Sequence, residues 1–297
     1  MRRKSSTSGP GAFAVASRSA ALLAILLLIA GCASVRSLQV DGRRRVYQLA
    51  GELSASSPRP LIIFLHGHGG TGPRMARLVH LDPRALEQDA LVAYPTGTAW
   101  ASIPWGSWNA GHCCGHAMER GVDDVGLLRA LIDELHRSQQ ADPGRVAVAG
   151  VSNGAMMAYR LACDAADQVT AIAAVAGSMP PSCHPSRPVS VLIIHGTDDQ
   201  MVPYAGGRNA QRDSRIDPSV QSAVSFWTTN NRCPALPKRR IDGRVEEERY
   251  APCAEDTEVL LYTIRGGGHV WPGVQRDGPL DATAVVTEFF SRRRRLP

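Results

Sequence analysis

The amino-acid sequence predicts an α/β fold, in which a mostly parallel sheet carries helices on both faces. Apolar runs of strand length recur along the chain, for example at 61–65, 146–149 and 189–194. Segments with helical periodicity, such as 122–136, lie between these runs, and this alternation is typical of parallel strands joined by helices. Ligands bind outside the carboxyl ends of strands in such sheets, so the loops that follow the strands are the candidates for a functional site.

The first predicted elements are a hairpin and two strands. Asp41 and Gly42 are residue types that tolerate a positive φ, and they predict a tight turn between two short strands. The buried strand 61–65 comes next. It is followed by helical segments between residues 72 and 87 and by a strand at 91–94.

The rest of the chain continues the alternation of strands and helices. The amphipathic segment 122–136 predicts a helix that leads into the strand ending at Ala149. Later helices are predicted at 153–163, 219–230 and 281–292, and later strands at 169–175, 189–194 and 258–264. No internal repeat or low-complexity linker interrupts this order, so residues 32–297 are predicted to form a single α/β domain.

One serine lies where a buried strand turns sharply into a helix. The segment 150–154 reads GVSNG, which is the pattern G-x-S-x-G of a nucleophile elbow. Glycine fits where strand and helix crowd each other, and this leaves the Ser152 hydroxyl exposed at the tip of the turn. The pattern predicts a nucleophilic serine, with the alternative that small residues occur here for purely structural reasons.

A serine nucleophile needs a histidine base and a carboxylate that holds the histidine in the right tautomer. Asp198 and Asp199 follow the strand 189–194, and we choose Asp199 as the acid, with the alternative that the pair only solvates a loop. His269 follows the strand 258–264 on a glycine-rich loop. Of the nine histidines it is the one that lies after both partners on such a loop, so it is the predicted base.

Acyl chemistry also needs two backbone N–H groups that face the developing negative charge. The strand 61–65 runs into a glycine-rich loop at 66–70, HGHGG. The N–H groups of His68 and Asn153 are the predicted oxyanion hole. The loop lacks the lysine followed by serine or threonine of a phosphate-binding loop, so nucleotide binding is not predicted.

Six segments of the sequence together resemble one family of esterases. They are Leu65–Gly70, Ser107–Gly115 (SWNAGHCCG), Val122–Gly126, Gly150–Gly154, His195–Tyr204 (HGTDDQMVPY) and Gly266–Gly273 (GGGHVWPG). The family groups polyhydroxybutyrate depolymerase-like proteins with feruloyl and acetylxylan esterases and includes lipoprotein members. The resemblance implies an α/β-hydrolase fold and a cofactor-free serine carboxylesterase, with Ser152 as nucleophile, Asp199 as acid and His269 as base.

The sequence does not choose between two classes of natural substrate. One class is the feruloyl or acetyl esters of polysaccharides, and the other is 3-hydroxybutyrate polyester or its oligomers. Trp105, Trp108 and Trp271 lie close to the predicted site along the chain, and their rings suit either class as substrate-binding walls. The alternative is that some of them only pack the loops. Two other functions remain as alternatives: a non-catalytic polysaccharide-binding lipoprotein and a serine peptidase of the same fold.

The first 31 residues predict a lipoprotein signal peptide. Four cations precede an uncharged apolar stretch at 20–30, which is far short of the roughly 20 residues that a spanning helix needs. Cys32 follows a small residue and is the predicted site of lipid attachment, with an ordinary signal peptide as the alternative. Either way we expect an exported protein, and the lipidated form is held at the cell envelope by its anchor only.

The formal net charge of +6 does not predict a nucleic-acid-binding face. The leader carries four cations, and a run of four arginines occupies 292–295, so the remaining body has a net charge of about −2. Nucleic-acid binding needs a basic face on the fold itself. The basic tail 292–297 is expected to be a solvated end or to touch anionic lipid headgroups, and the protein is expected to be a monomer.

Six cysteines remain after Cys32, and an even number in an exported chain indicates disulfide bonds. The predicted pairs are Cys233 with Cys253, which bracket a polar excursion, and Cys163 with Cys183. Cys113 and Cys114 are left open between a vicinal bond and other partners. A zinc site in the segment 112–116 is disfavoured because ligands spaced so tightly fit tetrahedral geometry poorly, and no metal is predicted.

Overall fold

The computed structural model describes residues 34–51, 57–81, 89–100, 103–138, 140–208, 215–273 and 278–295. The predicted leader at 1–31, Cys32 and part of the predicted helical segment 72–87 lie outside these described residues. Within the described ranges, none of the helices has both the length and the apolar composition that crossing a membrane requires.

The strands of the described residues form one ten-stranded sheet and two small two-stranded ribbons. In chain order they are β1 (Ser34–Val40), β2 (Arg43–Ala50), β3 (Arg59–Leu65), β4 (Leu91–Pro95), β5 (Thr98–Trp100), β6 (Ile103–Ser107), β7 (Ala141–Val151), β8 (Ala171–Val175), β9 (Ser190–Gly196), β10 (Gly207–Arg208), β11 (Ile216–Asp217), β12 (Lys238–Asp242), β13 (Val245–Tyr250) and β14 (Val259–Ile264). The large sheet has the order β1-β2-β4-β3-β7-β8-β9-β14-β13-β12, and the ribbons pair β5 with β6 and β10 with β11.

The centre of the large sheet is parallel. The strands β4, β3, β7, β8, β9 and β14 run in one direction, and antiparallel hairpins extend the sheet on both sides. This confirms the predicted mostly parallel sheet. The carboxyl ends of the six parallel strands therefore open onto the same edge, where their loops meet.

Each face of the sheet carries its own packed core. Successive side chains of a strand point to opposite faces, and in β3 Leu61, Ile63 and Leu65 belong to one hydrophobic cluster, whereas Ile62 and Phe64 belong to the other. Every residue of β4, β8 and β9 is buried. The near-continuous apolar runs of the sequence arise because helices cover both faces of these strands.

The helices are α1 (Gly72–Val79), α2 (Gly115–Glu119), α3 (Asp124–Arg137), α4 (Asn153–Asp164), α5 (Val220–Asn230) and α6 (Ala282–Ser291). Side chains cap the N-termini of α1, α3, α5 and α6 by accepting backbone N–H groups, from Thr71, Asp123, Ser219 and Asp281. The N-cap of α4 is Ser152, whose side chain forms no such bond. Its hydroxyl is therefore not used to cap the helix that it precedes.

The predicted elements that fall on described residues are confirmed, with ends that differ by a few residues. The hairpin turn has positive φ at both central residues, 52° at Asp41 and 67° at Gly42. The polar excursion that follows α5 adds something that the sequence did not predict. It folds into the hairpin of β12 and β13, which extends the large sheet beyond β14.

Two of the four terminal arginines are not solvated as the sequence suggested. Arg293 Nη2 lies 2.8 Å from Glu258 Oε1, and both side chains are largely buried. Arg295 donates hydrogen bonds to the carbonyl oxygens of Ala166 and Val169, each at 3.0 Å. Arg293 and Arg295 therefore attach the segment after α6 to the body of the domain, whereas Arg292 and Arg294 stay exposed.

Three disulfide bonds occur among the described residues, and they join Cys113 with Cys114, Cys163 with Cys183, and Cys233 with Cys253. Two of them are the pairs proposed from the sequence, and each closes a separation of 20 residues. The bond between Cys113 and Cys114 selects the vicinal alternative.

Candidate active site

The turn from β7 into α4 holds Ser152 in a conformation that few residues adopt. Its φ is 56° and its ψ is −122°, a combination that non-glycine residues keep only where the surrounding structure enforces it. A Cβ at Gly150 would collide with the backbone of Gly154, and a Cβ at Gly154 would collide with the carbonyl oxygen of Leu65. The two glycines therefore allow α4 to begin directly against the strands, and the serine occupies the tip.

Ser152, His269 and Asp199 form one continuous chain of hydrogen bonds. The Ser152 hydroxyl oxygen lies 2.9 Å from His269 Nε2. His269 Nδ1 lies 2.8 Å from Asp199 Oδ2 and donates its proton to this carboxylate. Because Nδ1 carries the proton, Nε2 is the free base that faces the hydroxyl.

The loop after β14 carries His269 back across the sheet edge. A Cβ at Gly196 would collide with the backbone of Gly267, so this loop rests directly on the end of β9. The N–H of Asp198 donates to the carbonyl oxygen of Gly267 at 2.9 Å, and Thr197 Oγ1 accepts the N–H of Gly266 at 2.8 Å. The loops that carry the acid and the base are thus bonded to each other.

Asp199 is a buried carboxylate with a complete set of donors. Its Oδ1 accepts the N–H groups of Met201 at 2.8 Å and Val202 at 2.9 Å, and its Oδ2 accepts from His269. Burial alone would raise the pKa of Asp199, but hydrogen bonds from His195, His269 and the Val202 N–H outweigh it and hold the pKa well below the usual range. The carboxylate is therefore ionised at neutral pH and orients His269.

A second histidine faces the same carboxylate. His195 is 2% exposed, and its Nε2 lies 2.8 Å from the carbonyl oxygen of Val202 and 3.3 Å from Asp199 Oδ2. Both partners are acceptors, so the proton of the ring lies on Nε2. No role of its own is predicted for His195 from the sequence, although its spacing of four residues from Asp199 is visible in the motif HGTDD.

The glycine-rich loop after β3 lies against the elbow. A Cβ at Gly67 would be in van der Waals contact with the Ser152 side chain, at 3.4 Å. Gly69 and Gly106 tie this loop to the β5–β6 ribbon, because the Gly69 N–H donates to the Gly106 carbonyl oxygen at 2.9 Å. The loop therefore approaches Ser152 at Gly67, the residue before His68, whose N–H is one half of the oxyanion hole predicted from the sequence.

His66 holds this loop from beneath as a neutral imidazole. Its Nδ1 donates to the carbonyl oxygen of Gly67 at 2.7 Å, and its Nε2 accepts the N–H of Gly97 at 2.9 Å. Burial lowers the pKa of His66 to about 4, although the bond to Gly67 opposes this shift. A protonated ring would lose the bond from Gly97, so only the neutral form satisfies both contacts.

Asn153 supplies the other predicted donor. Its N–H opens α4, in the first turn, whose N–H groups have no partner within the helix. Its side chain is buried and is bonded twice to Trp108, accepting the Trp108 N–H at 2.7 Å and donating to the Trp108 carbonyl oxygen at 2.9 Å. These two hydrogen bonds between the Asn153 side-chain amide and the Trp108 backbone fix the start of α4 against the loop that carries the SWNAGHCCG motif.

The predictions that Trp108 and Trp271 contact the substrate are wrong for this structure. Trp108 is fully buried, and its Nε1 donates to the carbonyl oxygen of His66 at 2.9 Å. Trp271 is 3% exposed, packs edge-on against Phe64, and donates from Nε1 to Thr283 at 3.1 Å. Both rings support the loops from inside because their large apolar area is buried in the core.

Trp105 is the tryptophan of this group that stays open to solvent, with 57% of its surface exposed. It belongs to β6, next to Gly106, which is bonded to the glycine-rich loop. Val270, directly after His269, is 56% exposed. Exposed apolar side chains therefore occur both on the β5–β6 ribbon and directly after His269.

A second cluster of serine, histidine and aspartate lies beside the elbow and was not predicted. His112 Nε2 lies 3.2 Å from Ser178 Oγ, which in turn lies 2.6 Å from Asp217 Oδ1. Arg215 Nε pairs with the same carboxylate at 2.8 Å. The hydroxyl here stands between the histidine and the acid, so the carboxylate does not orient the imidazole. This order does not activate Ser178 as a nucleophile.

The described residues contain no group of three or more histidine, cysteine, aspartate or glutamate side chains placed to hold a metal ion. In the segment 112–116, the two cysteines are bonded to each other.

A profile of the Phospholipase/Carboxylesterase family matches residues 52–216 of the chain. The chain is also similar to curated proteins over most of its length. It is 30% identical over 264 residues to NocK of Nocardia uniformis subsp. tsuyamanensis, a protein named as an esterase, with 81% of this chain and 74% of that one covered. It is 30% identical over 236 residues to feruloyl esterase B of Piromyces equi, covering 76% of this chain but 42% of that enzyme.

Solved structures show the same fold at low sequence identity. An acetyl xylan esterase from Aspergillus awamori superposes with a TM-score of 0.56 at 14% identity, covering 87% of this chain and 99% of that one. The esterase PE8 superposes with a TM-score of 0.53 at 19% identity, covering 82% and 98%. These neighbours show that the sheet and helices described above form an α/β-hydrolase fold.

Proposed function

This chain belongs to the phospholipase/carboxylesterase family of α/β-hydrolases, and on that basis we propose that it is a serine carboxylesterase that cleaves esters through a covalent acyl-enzyme. The observation that carries the proposal is the hydrogen-bonded chain from Ser152 through His269 to Asp199. A buried, ionised carboxylate, an oriented imidazole and a partly exposed hydroxyl are the parts that acyl transfer requires.

In the first half of the proposed reaction, Ser152 Oγ attacks the ester carbonyl carbon while His269 Nε2 takes the hydroxyl proton. The carbonyl oxygen becomes an oxyanion that accepts hydrogen bonds from the N–H groups of His68 and Asn153. The C–O bond to the alcohol then breaks, and His269 returns the proton to the departing oxygen. The acyl group remains on Ser152 as an ester.

In the second half, a water molecule replaces the alcohol. His269 Nε2 takes a proton from the water as its oxygen attacks the acyl carbon, and the same N–H groups hold the second oxyanion. The bond to Ser152 Oγ breaks, and the proton returns to the serine. Asp199 stabilises the imidazolium in both halves without itself taking a proton.

We assign the substrate to esters in which a polymer or an aromatic acid takes part, namely feruloyl or acetyl esters of polysaccharides or 3-hydroxybutyrate esters. Two observations support this class. Several similar proteins are named feruloyl esterases, including that of Piromyces equi. The exposed side chains of Trp105 and Val270 flank the site and offer apolar surface to a ring or a chain.

We also propose that the protein is exported as a monomer and attached to the cell envelope by lipid on Cys32. The support for this step is the sequence, in which a basic segment and a short apolar stretch precede a small residue and a cysteine. Palmitate incorporation into the wild-type chain, and its loss in Cys32→Ser, would test the attachment directly.

The test of the reaction compares three forms of the purified protein: wild type, Ser152→Ala and Ser178→Ala. Ser178 is the matched control because it is the neighbouring serine with a histidine partner. Initial rates are measured on p-nitrophenyl butyrate, methyl ferulate, acetylated xylan and 3-hydroxybutyrate oligomers. We expect wild type and Ser178→Ala to turn over at least one substrate and Ser152→Ala to lose nearly all activity.

The substrate with the highest initial rate indicates which class of ester the enzyme prefers. Folded wild-type protein that hydrolyses none of them contradicts the esterase assignment, whereas a Ser152→Ala variant that still shows a burst of product contradicts the choice of nucleophile.

A further inference from the structure

The arginines of this chain fall into two groups that differ in their partners. Most of those on the body of the domain are ion-paired, as the bond of Arg293 with Glu258 illustrates. Others have no carboxylate oxygen within 4.0 Å among the described residues, and some of these are scattered, such as Arg120, Arg232 and Arg244. Five of them lie together on the β1–β2 hairpin and on α1, namely Arg36, Arg43, Arg44, Arg74 and Arg77.

The hairpin is basic in its own right. Residues 34–50 contain four arginines and one acid, Asp41 in the turn, and α1 contains two arginines and no acid. One of the hairpin arginines, Arg45, is neutralised by the buried Asp124, which lies 2.6 Å away. Residues 34–50 carry a net charge of +3, or +2 once the pairing of Arg45 with Asp124 is counted, and residues 34–297 together carry a net charge of +2.

This basic surface lies at one lateral edge of the large sheet. β1 is the outermost strand on that side, and α1 packs beside β2. Arg43 and Arg44 are exposed, as is Arg77 on α1. Val35, also on β1, is 72% exposed and adds an apolar side chain to the same edge. We call the residues Val35, Arg36, Arg43, Arg44 and Arg77 the hairpin patch.

The chain places this patch next to the proposed lipid attachment site. Cys32 precedes Ser34 by two residues, a length of chain that spans at most about 7 Å, and Arg36 by four residues, at most about 14 Å. The negative potential of an anionic membrane acts on cations within about one Debye length of the surface, roughly 8–10 Å. A lipid on Cys32 would therefore hold the first residues of the patch within the distance over which the headgroup charge acts.

We propose that the hairpin patch is a docking surface for anionic phospholipid headgroups, which lays the β1 edge of the sheet on the membrane. The inference rests on the proposed attachment at Cys32, and it moves the expected headgroup contact from the C-terminal arginines to the N-terminal hairpin. Arginine guanidinium groups bind phosphate through paired N–H donors. The acyl chains and the basic surface then both contribute to the affinity of the protein for the membrane.

The test measures headgroup binding without the acyl chains. Residues 33–297 contain every described strand and both hydrophobic clusters, so this chain keeps the whole described fold. Its binding is measured by sedimentation with phosphatidylcholine vesicles and with vesicles that also contain phosphatidylglycerol. The patch variant is the triple substitution Arg36→Gln, Arg43→Gln and Arg44→Gln.

The matched control removes the same charge from the other edge of the sheet. It carries Lys238→Gln, Arg239→Gln and Arg240→Gln in β12, whose residues are all exposed. Hydrolysis of p-nitrophenyl butyrate and the thermal midpoint are recorded for every variant, so that a folding defect is recognised. Wild-type protein that binds the vesicles but hydrolyses no ester would count against the esterase assignment and not against the docking surface.

We expect wild type and the β12 variant to bind the phosphatidylglycerol vesicles and to bind phosphatidylcholine vesicles much more weakly. Each arginine near an anionic surface strengthens binding on the order of fivefold, so the patch variant should bind roughly 100-fold more weakly. Raising the ionic strength from about 0.1 M to about 1 M, which shortens the Debye length from about 10 Å to about 3 Å, should abolish the difference.

Three results would overturn the proposal. Equal binding to both kinds of vesicle would remove the charge preference, and an equal loss in the β12 variant would show that net charge alone is responsible. Binding to polygalacturonate that depends on the patch, with no binding to vesicles, would assign the surface to an anionic polysaccharide instead.

Discussion

Replacing Asp199 with asparagine should remove most of the turnover while it leaves the fold in place. The Oδ1 atom accepts the N–H groups of Met201 and Val202 at 2.8 and 2.9 Å, and an asparagine oxygen can accept the same two bonds. At the Oδ2 position, however, the new NH₂ group is a donor and faces His269 Nδ1, which also donates. The imidazole is then expected to exchange its tautomer.

The size of the loss in kcat follows from which ring nitrogen of His269 carries the proton. With Nδ1 as the acceptor, His269 carries its proton on Nε2, the atom that lies 2.9 Å from Ser152 Oγ. It can no longer take the proton of the hydroxyl. A triad with the wrong tautomer loses about 10⁴ in kcat, which at about 1.36 kcal/mol for each factor of ten is roughly 5.4 kcal/mol of transition-state stabilisation.

Asp198 is the control for this substitution because it is the neighbouring carboxylate in the same motif. It is exposed, and its side chain accepts from Thr197 Oγ1 at 2.9 Å. Asp198→Asn should leave kcat nearly unchanged, because the carboxylate of Asp198 accepts from Thr197 and is not the one bonded to His269.

The assay is kcat and kcat/KM on p-nitrophenyl butyrate for wild type and both variants, with the thermal midpoint of each. Equal losses in the two variants would refute the assignment of the acid. An Asp199→Asn enzyme that retains more than about one hundredth of wild-type kcat would refute the tautomer argument. The bond between Asp199 and His269 would then not determine which ring nitrogen of His269 is free to act as the base.

Three other perturbations test the fold around the site. Replacing Cys163 and Cys183 with alanine opens a loop with a separation of 20 residues and should lower the free energy of unfolding by about 3 kcal/mol in urea, with kcat of the folded enzyme unchanged. Burial lowers the pKa of His66 from 6.5 to about 4. As the pH falls, the His66 ring is therefore protonated in the unfolded chain before it is protonated in the folded chain. The stability advantage of wild type over His66→Gln should therefore be complete above about pH 6.5 and shrink by roughly 3 kcal/mol towards pH 4, and a constant difference would contradict the neutral ring. Arg293→Ala removes a partner of the buried Glu258 carboxylate and should cost about 2–3 kcal/mol by urea unfolding, whereas a loss below about 0.5 kcal/mol would return the tail to a solvated role.

Much of the site could be predicted because each part of it follows an apolar strand. Ser152, Asp199 and His269 lie at the ends of β7, β9 and β14, and parallel strands bring their carboxyl ends to one edge. The order along the chain therefore implied proximity in space. The choice between Asp198 and Asp199 was made from the motif, and the structure places Asp199 inside and Asp198 at the surface.

The exposure of the tryptophans could not be predicted in the same way. Trp105 in β6 and Trp108 just after it stand three residues apart along the chain, yet one is 57% exposed and the other fully buried. Trp108 is buried because its Nε1 reaches the His66 carbonyl oxygen, and its backbone pairs with the Asn153 side chain. Neither contact leaves a local pattern in the sequence.

The sequence by itself determined the strand and helix order, the turns that need glycine and the residue types at the strand ends. It did so because these features depend on periodicity and backbone conformation over a few residues. Only the tertiary structure decided which rings are buried, that Arg293 and Arg295 are bonded to the domain, and that Arg36, Arg43 and Arg44 of the first hairpin have no carboxylate partner. These outcomes depend on contacts between segments far apart along the chain, such as Arg293 with Glu258, and on which side of a packed sheet each side chain falls.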